Sequence, residues 1–307
     1  MRSDKVGRGK AWQASRHAAG WGEVGSDRAW SGETRLGRHR RNHLTGNRRS
    51  ADMATKQKEE KEIEVLKVTQ NTLTFHILGI TPLVMNAMSA KVKQGLLLPK
   101  KKNAAELAST LKHDPVAEYQ TSIYRCLNDD GPTRIIFPSV GYKKALASTA
   151  LDIPGNAAKS QIGRLTYVNQ DYVPIYGIPK IWMTVVRSAG MNHTPDVRSR
   201  AIIPEWASLL KLTFVTPILR DTAVINLLAA AGLMRGIGDG RPEKGWGSYG
   251  QFEIVGKEDE RWMGIVNAGG RIAQDVALDD PHPYDSETAE LLKWFNAESK
   301  RRGFKVA

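Results

Sequence analysis

The chain has 307 residues, 41% of them hydrophobic and 25% charged, with a formal net charge of +13. That is enough for one large domain or two small ones with a packed core. No run reaches the roughly 18 to 20 apolar residues of a membrane-spanning helix and no secretory apolar segment opens the chain, so a soluble, cytoplasmic protein is expected. The single Cys126 excludes an intramolecular disulfide and a cysteine zinc site, and no His, Cys and Asp residues fall at metal-ligand spacing, so no cofactor or metal is expected.

The positive charge is unevenly spread. Residues 1–52 carry 12 Lys and Arg against 5 Asp and Glu, and residues 53–307 carry 33 against 27. The first 52 residues show no apolar period and give way at Met53 to "MATKQKEEKEIEV". They are expected to be a disordered or non-native leader, with a nucleic-acid-binding arm ("RLGRHRRNH") as the alternative. Folding is expected over 53–256, followed by a tail at 257–307.

In chain order, "TLTFHILGI" from Thr72 alternates Leu73, Phe75 and Ile77 with Thr74 and His76, the pattern of a strand with one packed face. Residues 86–113 are a Lys-rich excursion with a short helix near Ala104. Asp114-Pro115 opens a helix running to Arg125. "RIIFP" is a strand, and a helix follows behind Ser139 as a possible cap. "RLTYVN" and "YVPIYG" are short strands around a turn at Asn169–Asp171, and "IWMTVVR" is another strand.

Residues 188–206 read as a polar, basic loop, followed by the strand "LLKLTFV". A helix capped by Asp221 runs into glycines, and "YGQFEIV" is the last strand. The tail ends in an amphipathic helix around Ser286 to Arg301. The order reduces to an α+β, modified ferredoxin-like (RNA-recognition-type) βαββαβ sheet, with insertions near 88–130 and 188–206. Its helices cover one sheet face and leave the other for a ligand.

Between the last helix and the last strand lies "GIGDGRPEKGWGSYG", with six glycines beside Arg241, Lys244, Trp246 and Tyr249. Gly236, Gly238, Gly240, Gly245 and Gly247 can adopt φ > 0 and leave backbone amides unscreened, which suits a phosphodiester backbone; a tightly packed turn is the plainer reading. A nucleotide-binding P-loop is excluded, because there is no Gly-Lys-Ser/Thr and the loop precedes a strand instead of a helix.

Three stretches in this order resemble the RAMP superfamily of CRISPR-associated proteins, in particular the backbone subunits that coat a guide RNA. "GITPLVMNA" (79–87) is similar to the family's first strand and turn, and "IFPSVGYKKALASTA" (136–150) to its strand, Pro-Gly-Ser and Lys-Gly-Ala-Leu segment, with Pro138, Lys143, Ala145, Leu146 and Ser148 matching. The glycine loop is similar to the loop for which the family is known. The resemblance covers roughly 72–255. It implies a non-enzymatic protein that holds RNA or single-stranded DNA by its phosphates, as a helical homo-oligomer in a CRISPR-like or phage-related complex.

The residues expected to touch the strand are Lys143, Lys144, Arg187, Arg198, Arg200, Arg235, Arg241, Lys244 and Tyr249 with the loop glycines. Asn192 and His193 stand in the basic loop beside the arginines, and Tyr249 and Trp246 can stack on bases or anchor the loop. His76 is a weak candidate for acid–base catalysis, and Asp114 and Asp239 for metal-assisted cleavage, should the chain be a RAMP-type endoribonuclease. A viral or prophage structural or accessory protein that kept the fold without the ligand is the other alternative.

Overall fold

The computed structural model describes residues 65–98, 111–128, 130–155, 158–187, 193–245 and 247–304. The leader, the helix expected near Ala104, and Asn192 and Trp246 lie outside them. The described residues belong to one compact unit, and the residues after 256 share its core through Leu278 and Leu292.

The main sheet has the order β3-β5-β8-β1-β9, built from β1 (Thr69–Gly79), β3 (Ile136–Pro138), β5 (Tyr172–Tyr176), β8 (Ala207–Thr216) and β9 (Phe252–Val255). β4 (Thr166–Val168) also pairs with β8. β1 and β8 are antiparallel from Thr69↔Thr216 to Leu78↔Ala207, and β9 joins β1 from His76↔Val255 to Gly79↔Phe252. The expected turn at 169–171 therefore does not make a hairpin. β4 and β5 lie one after the other along β8, at Leu212–Phe214 and at Ala207–Ser208.

Alternation decides the faces of β1: Phe75 and Ile77 are buried, while Thr72 and Thr74 are exposed. The buried side packs against α3 (Ser139–Thr149) and α5 (Asp221–Met234), through Tyr142, Leu146, Val224 and Leu228. Pro138 and Arg220 occupy the two N-cap positions, so Ser139 and Asp221 are first helical residues and not caps; the Asp221 carboxylate instead accepts from Asn71 Nδ2 at 3.0 Å. A further helix, α4 (Lys159–Leu165), precedes β4.

The helix α2 (Pro115–Thr121) is capped as expected, Asp114 accepting from the Ala117 amide at 3.2 Å. It stops short of Arg125 because the chain turns to pair Arg125 with Ile135. Upstream, α1 (Ala90–Leu97) is capped by Ser89.

A second sheet, β2-β7-β6, replaces the expected basic loop. It consists of β2 (Leu83–Val84), β6 (Lys180–Arg187) and β7 (Pro195–Ile203). The end of β7 is core, with Ala201, Ile202 and Ile203 fully buried.

The tail carries α6 (Glu260–Ala268), α7 (Arg271–Asp279) and α8 (Ser286–Arg301). α6 lies across the second face of the main sheet, where the Trp262 indole N–H points at Ser208 O at 3.4 Å. That face is thus half roofed; Thr72, Thr74, Lys211 and Tyr167 remain exposed on it. α7 is fixed by Gln274, which has no exposed surface. Its Oε1 accepts from the Arg134 and Ile135 amides at 2.8 and 2.9 Å, and its Nε2 is 2.8–3.0 Å from the Ile175, Gly177 and Gly269 carbonyls. One side chain thereby joins tail, β3 and β5. Among the described residues no helix is long and apolar enough to cross a membrane.

Candidate nucleic-acid interface

Positive φ at Gly236, Gly238, Gly240 and Gly245 bends the glycine loop back on itself. Its amides are used in doing so. Ile237 donates to Gly250 O, Asp239 to Val84 O, Gly245 to Pro242 O, Tyr249 to Gly240 O and Gly250 to Pro82 O, at 2.8 to 3.2 Å. A Cβ on Gly247 would overlap Gly240 O, and one on Gly250 would overlap Ile237 O. Of the glycines expected to offer bare amides, Gly236 donates to Ala231 O, Gly240 to Asp239 Oδ1 and Gly245 to Pro242 O, so that expectation is corrected at these three, where the glycines serve close backbone packing.

The arginines of the expected site are largely occupied as well. Arg241 donates to Gly238 O at 2.9 Å and pairs with Glu243 at 2.8 Å. Burial alone would raise the Glu243 carboxyl, but bonds and charge from Arg241, Ser148 and Arg235 hold it below the usual carboxylate range. Arg235 donates to Ser148 O at 3.0 Å and pairs with Asp152. Arg200, nearly buried, has Nη1 2.8 Å from Asp239 Oδ2. The bond is poorly aligned, so the contact is charge pairing rather than a directed hydrogen bond. Asp239 also accepts from Asn86 Nδ2 at 3.0 Å. These ion pairs and hydrogen bonds tie the loop to α3, β7 and the chain after β2.

Arg198 sits elsewhere, 3.1 Å from Asp196 in a cluster where His113 places Nδ1 2.6 Å from Glu118 and Nε2 2.9 Å from Asp196. A hydrogen bond from Lys112, then His113 and Arg198, holds the Asp196 carboxyl down at about 2 despite its partial burial. A depressed carboxyl stabilises the fold above its ordinary value of 3.8 and loses that contribution as pH falls towards 2. Urea midpoints should therefore drop between about pH 4 and 2, and drop less in Asp196→Asn, whose midpoint is already lower at pH 7.

Arg187, at the exposed end of β6, and His193, at φ 42°, lie beyond the walls of the groove described next. Tyr249 packs on Trp182 with ring centroids 5.4 Å apart, anchoring the loop to β6. His76 meets Trp262 edge-on at 4.8 Å. Among the described residues no three His, Cys, Asp or Glu side chains group as metal ligands.

What the fold does bring together is a groove in two parts. The smaller part, about 310 Å³, lies between the start of α3 (Pro138, Val140, Gly141, Lys144) and the glycine loop (Ile237, Gly238, Asp239, Arg241). No side chain caps α3; the Ser139 amide donates to Asp171 O at 2.9 Å, and the next amides of the first turn favour an anion. The larger part, about 1020 Å³, runs between Met88 to Lys93, Tyr124 to Asn128 and Tyr172.

Tyr124 lines both parts, so they meet at its ring. That ring stands edge-on to Phe137 at 6.2 Å. Burial, and then the neighbouring Tyr172, push its phenol up, so the hydroxyl stays protonated at neutral pH. Lys93, Arg125 and Lys144 are exposed along the groove and, among the described residues, make no ion pair. Lys143 lies nearby on α3 with its ammonium 5.4 Å from the Tyr167 ring centroid.

Of the expected contacts, the structure therefore gathers Lys144, Gly238 and Arg241 in the groove wall. Lys244 and Gly245 are exposed on the short 3₁₀ turn Pro242–Lys244 and its cap. Sequence reasoning missed Tyr124, Tyr172, Arg125, Lys93 and Asn86. The adjacent aromatic and cation at 124–125, just before β3, were the available signal.

No family model and no curated protein matches the sequence. Among solved structures, the chain is similar to that of the Type III-B Cmr-beta bound to cognate target RNA, at 12% identity and a TM-score of 0.28, over 61% of this chain and 59% of that one. It is also similar to Cmr6 from Pyrococcus furiosus, at 9% identity and a TM-score of 0.30, over 61% of this chain and 98% of that one. The chain thus spans about three-fifths of the first of these. Similarity at these scores says nothing of what the chain binds.

Proposed function

We propose that this is a non-enzymatic protein that holds single-stranded RNA or DNA in the groove between α1, α3 and the glycine loop, gripping the backbone and stacking bases on tyrosine. The observation that carries this reading is the placement of Tyr124 where the two parts of the groove meet, with Lys93, Arg125 and Lys144 along them making no ion pair among the described residues. A cationic track interleaved with aromatic rings is how sequence-tolerant strand binding is built.

The strand order β9-β1-β8, with β4 on the far side of β8 and α3 and α5 on one face, supports a βαββαβ unit at the centre. Together with the motif order at 79–87, 136–150 and 236–250, it supports a RAMP-like backbone role. One groove grips only a few phosphates, so a long strand calls for repeated copies, as in a helical homo-oligomer of a CRISPR-like or phage-related complex. An endoribonuclease is disfavoured, since the His76 ring is packed on Trp262 and Asp239 is engaged by Arg200 and Asn86.

The test is anisotropy of labelled single-stranded RNA across a salt series. Replacing Arg125 and Lys144 together by Ala should weaken all sequences alike and reduce the slope of log K against log salt by about 1.4, roughly 0.7 for each lost phosphate contact. Arg241→Ala is a poor probe because it also unties the loop from Glu243 and Gly238. An unchanged slope in the Arg125, Lys144 double variant removes the groove from the interface.

A further inference from the structure

Away from this groove, a cavity of about 330 Å³ lies between the β6–β7 hairpin, the end of α8 and residues 111–115. Its walls are mostly apolar, formed by Met183, Val197, Leu291, Trp294, Phe295 and Phe304. Ser199 and Ser299 also line it, in residues only 5% and 3% exposed. Among the described residues neither hydroxyl has a hydrogen-bond partner, and neither is sealed inside protein.

A hydroxyl in a nearly buried residue ordinarily finds a partner, so two left open towards one apolar space are a preformed polar contact for whatever fills it. The lining also brings Lys112 and Arg302, 78% and 58% exposed, which pair with Asp196 at 2.9 Å and Glu298 at 2.6 Å and keep further N–H donors for an anionic group. The two ring nitrogens of His113 are engaged by Glu118 and Asp196 and contribute no free donor. The volume lies at the small end of the range for small-molecule sites.

We infer that this cavity is a binding site for a small amphiphilic carboxylate, aryl or medium-chain alkyl, whose apolar body fills the space and whose head group accepts from Ser199 and Ser299. The site is separate from the strand-binding groove and does not depend on that reading.

Calorimetric titration of the full chain with 1-naphthoate tests it, with the uncharged 1-naphthalenemethanol as comparison. Naphthoate should bind with a Kd of about 0.1 mM, as expected for a ligand of its size. The alcohol should bind about ten-fold more weakly, and Ser199→Ala with Ser299→Ala should cost naphthoate about ten-fold. Leu291→Trp, on the helix side, should abolish binding by filling the space while the thermal melt stays cooperative. Absence of heat with both compounds overturns the site, and so does naphthoate affinity unchanged in the double serine variant. If Leu291→Trp does not fold, the serine variant still decides.

Discussion

Gln274→Ala should lower the unfolding free energy by about 3–5 kcal/mol, the largest stability loss expected of any single side chain described here. Five hydrogen bonds end on that one amide, and all five partners are backbone groups of three separate segments. Removing the side chain leaves them unmatched where little water can reach. Gln274→Glu keeps the acceptor for the Arg134 and Ile135 amides but turns an oxygen towards three carbonyls, so it should be nearly as damaging at pH 7. Urea denaturation of both variants is the measurement. A loss below about 1 kcal/mol in each would mean that the tail is held mainly by apolar contacts such as those of Leu278.

Removing both groove tyrosines, Tyr124→Leu with Tyr172→Ser, should reduce affinity for single-stranded RNA by about a hundred-fold or more, taking roughly 1–3 kcal/mol for each stacked base. Leucine keeps apolar bulk beside Phe137, so the fold should survive. The loss should be nearly the same at low and high salt, because stacking releases no counterions. This separates the rings from the cations: the Arg125, Lys144 variant changes the slope, and the tyrosine variant shifts the whole line. Equal affinity of tyrosine variant and parent would leave a purely electrostatic contact, or none in the groove.

Elements with a clear period were legible in the sequence. Phe75 and Ile77 in β1, Leu210 and Leu212 in β8, and the stripe of α8 each follow one repeat and were placed on the right type of element. β7 was not recognised, although the buried Ser199 and Ala201 alternate with the more exposed Arg198 and Arg200. Its cations suggested a solvated loop, but beyond Asp196 beside them they are balanced by Glu118 and Asp239 from other parts of the chain. Pairing at such separations leaves no local trace. The same limit hid the groove: Lys144 could be picked from its helix, whereas Tyr124 gains its importance only from what β3, α1 and β5 place around it. α6 and α7 are short helices whose docking depends on Trp262 and Gln274, not on a long apolar stripe.

The bonds from the glycine loop to Pro82 and Val84 have a thermodynamic corollary. They stitch segments more than 150 positions apart into one floor. On the proposed function, a polymer settling there would meet a ready-made shape, so most of the lost conformational freedom would fall on the nucleic acid and little on the protein. Association should then be governed by how easily a given strand unstacks and straightens, which favours unstructured pyrimidine-rich stretches over stable purine stacks.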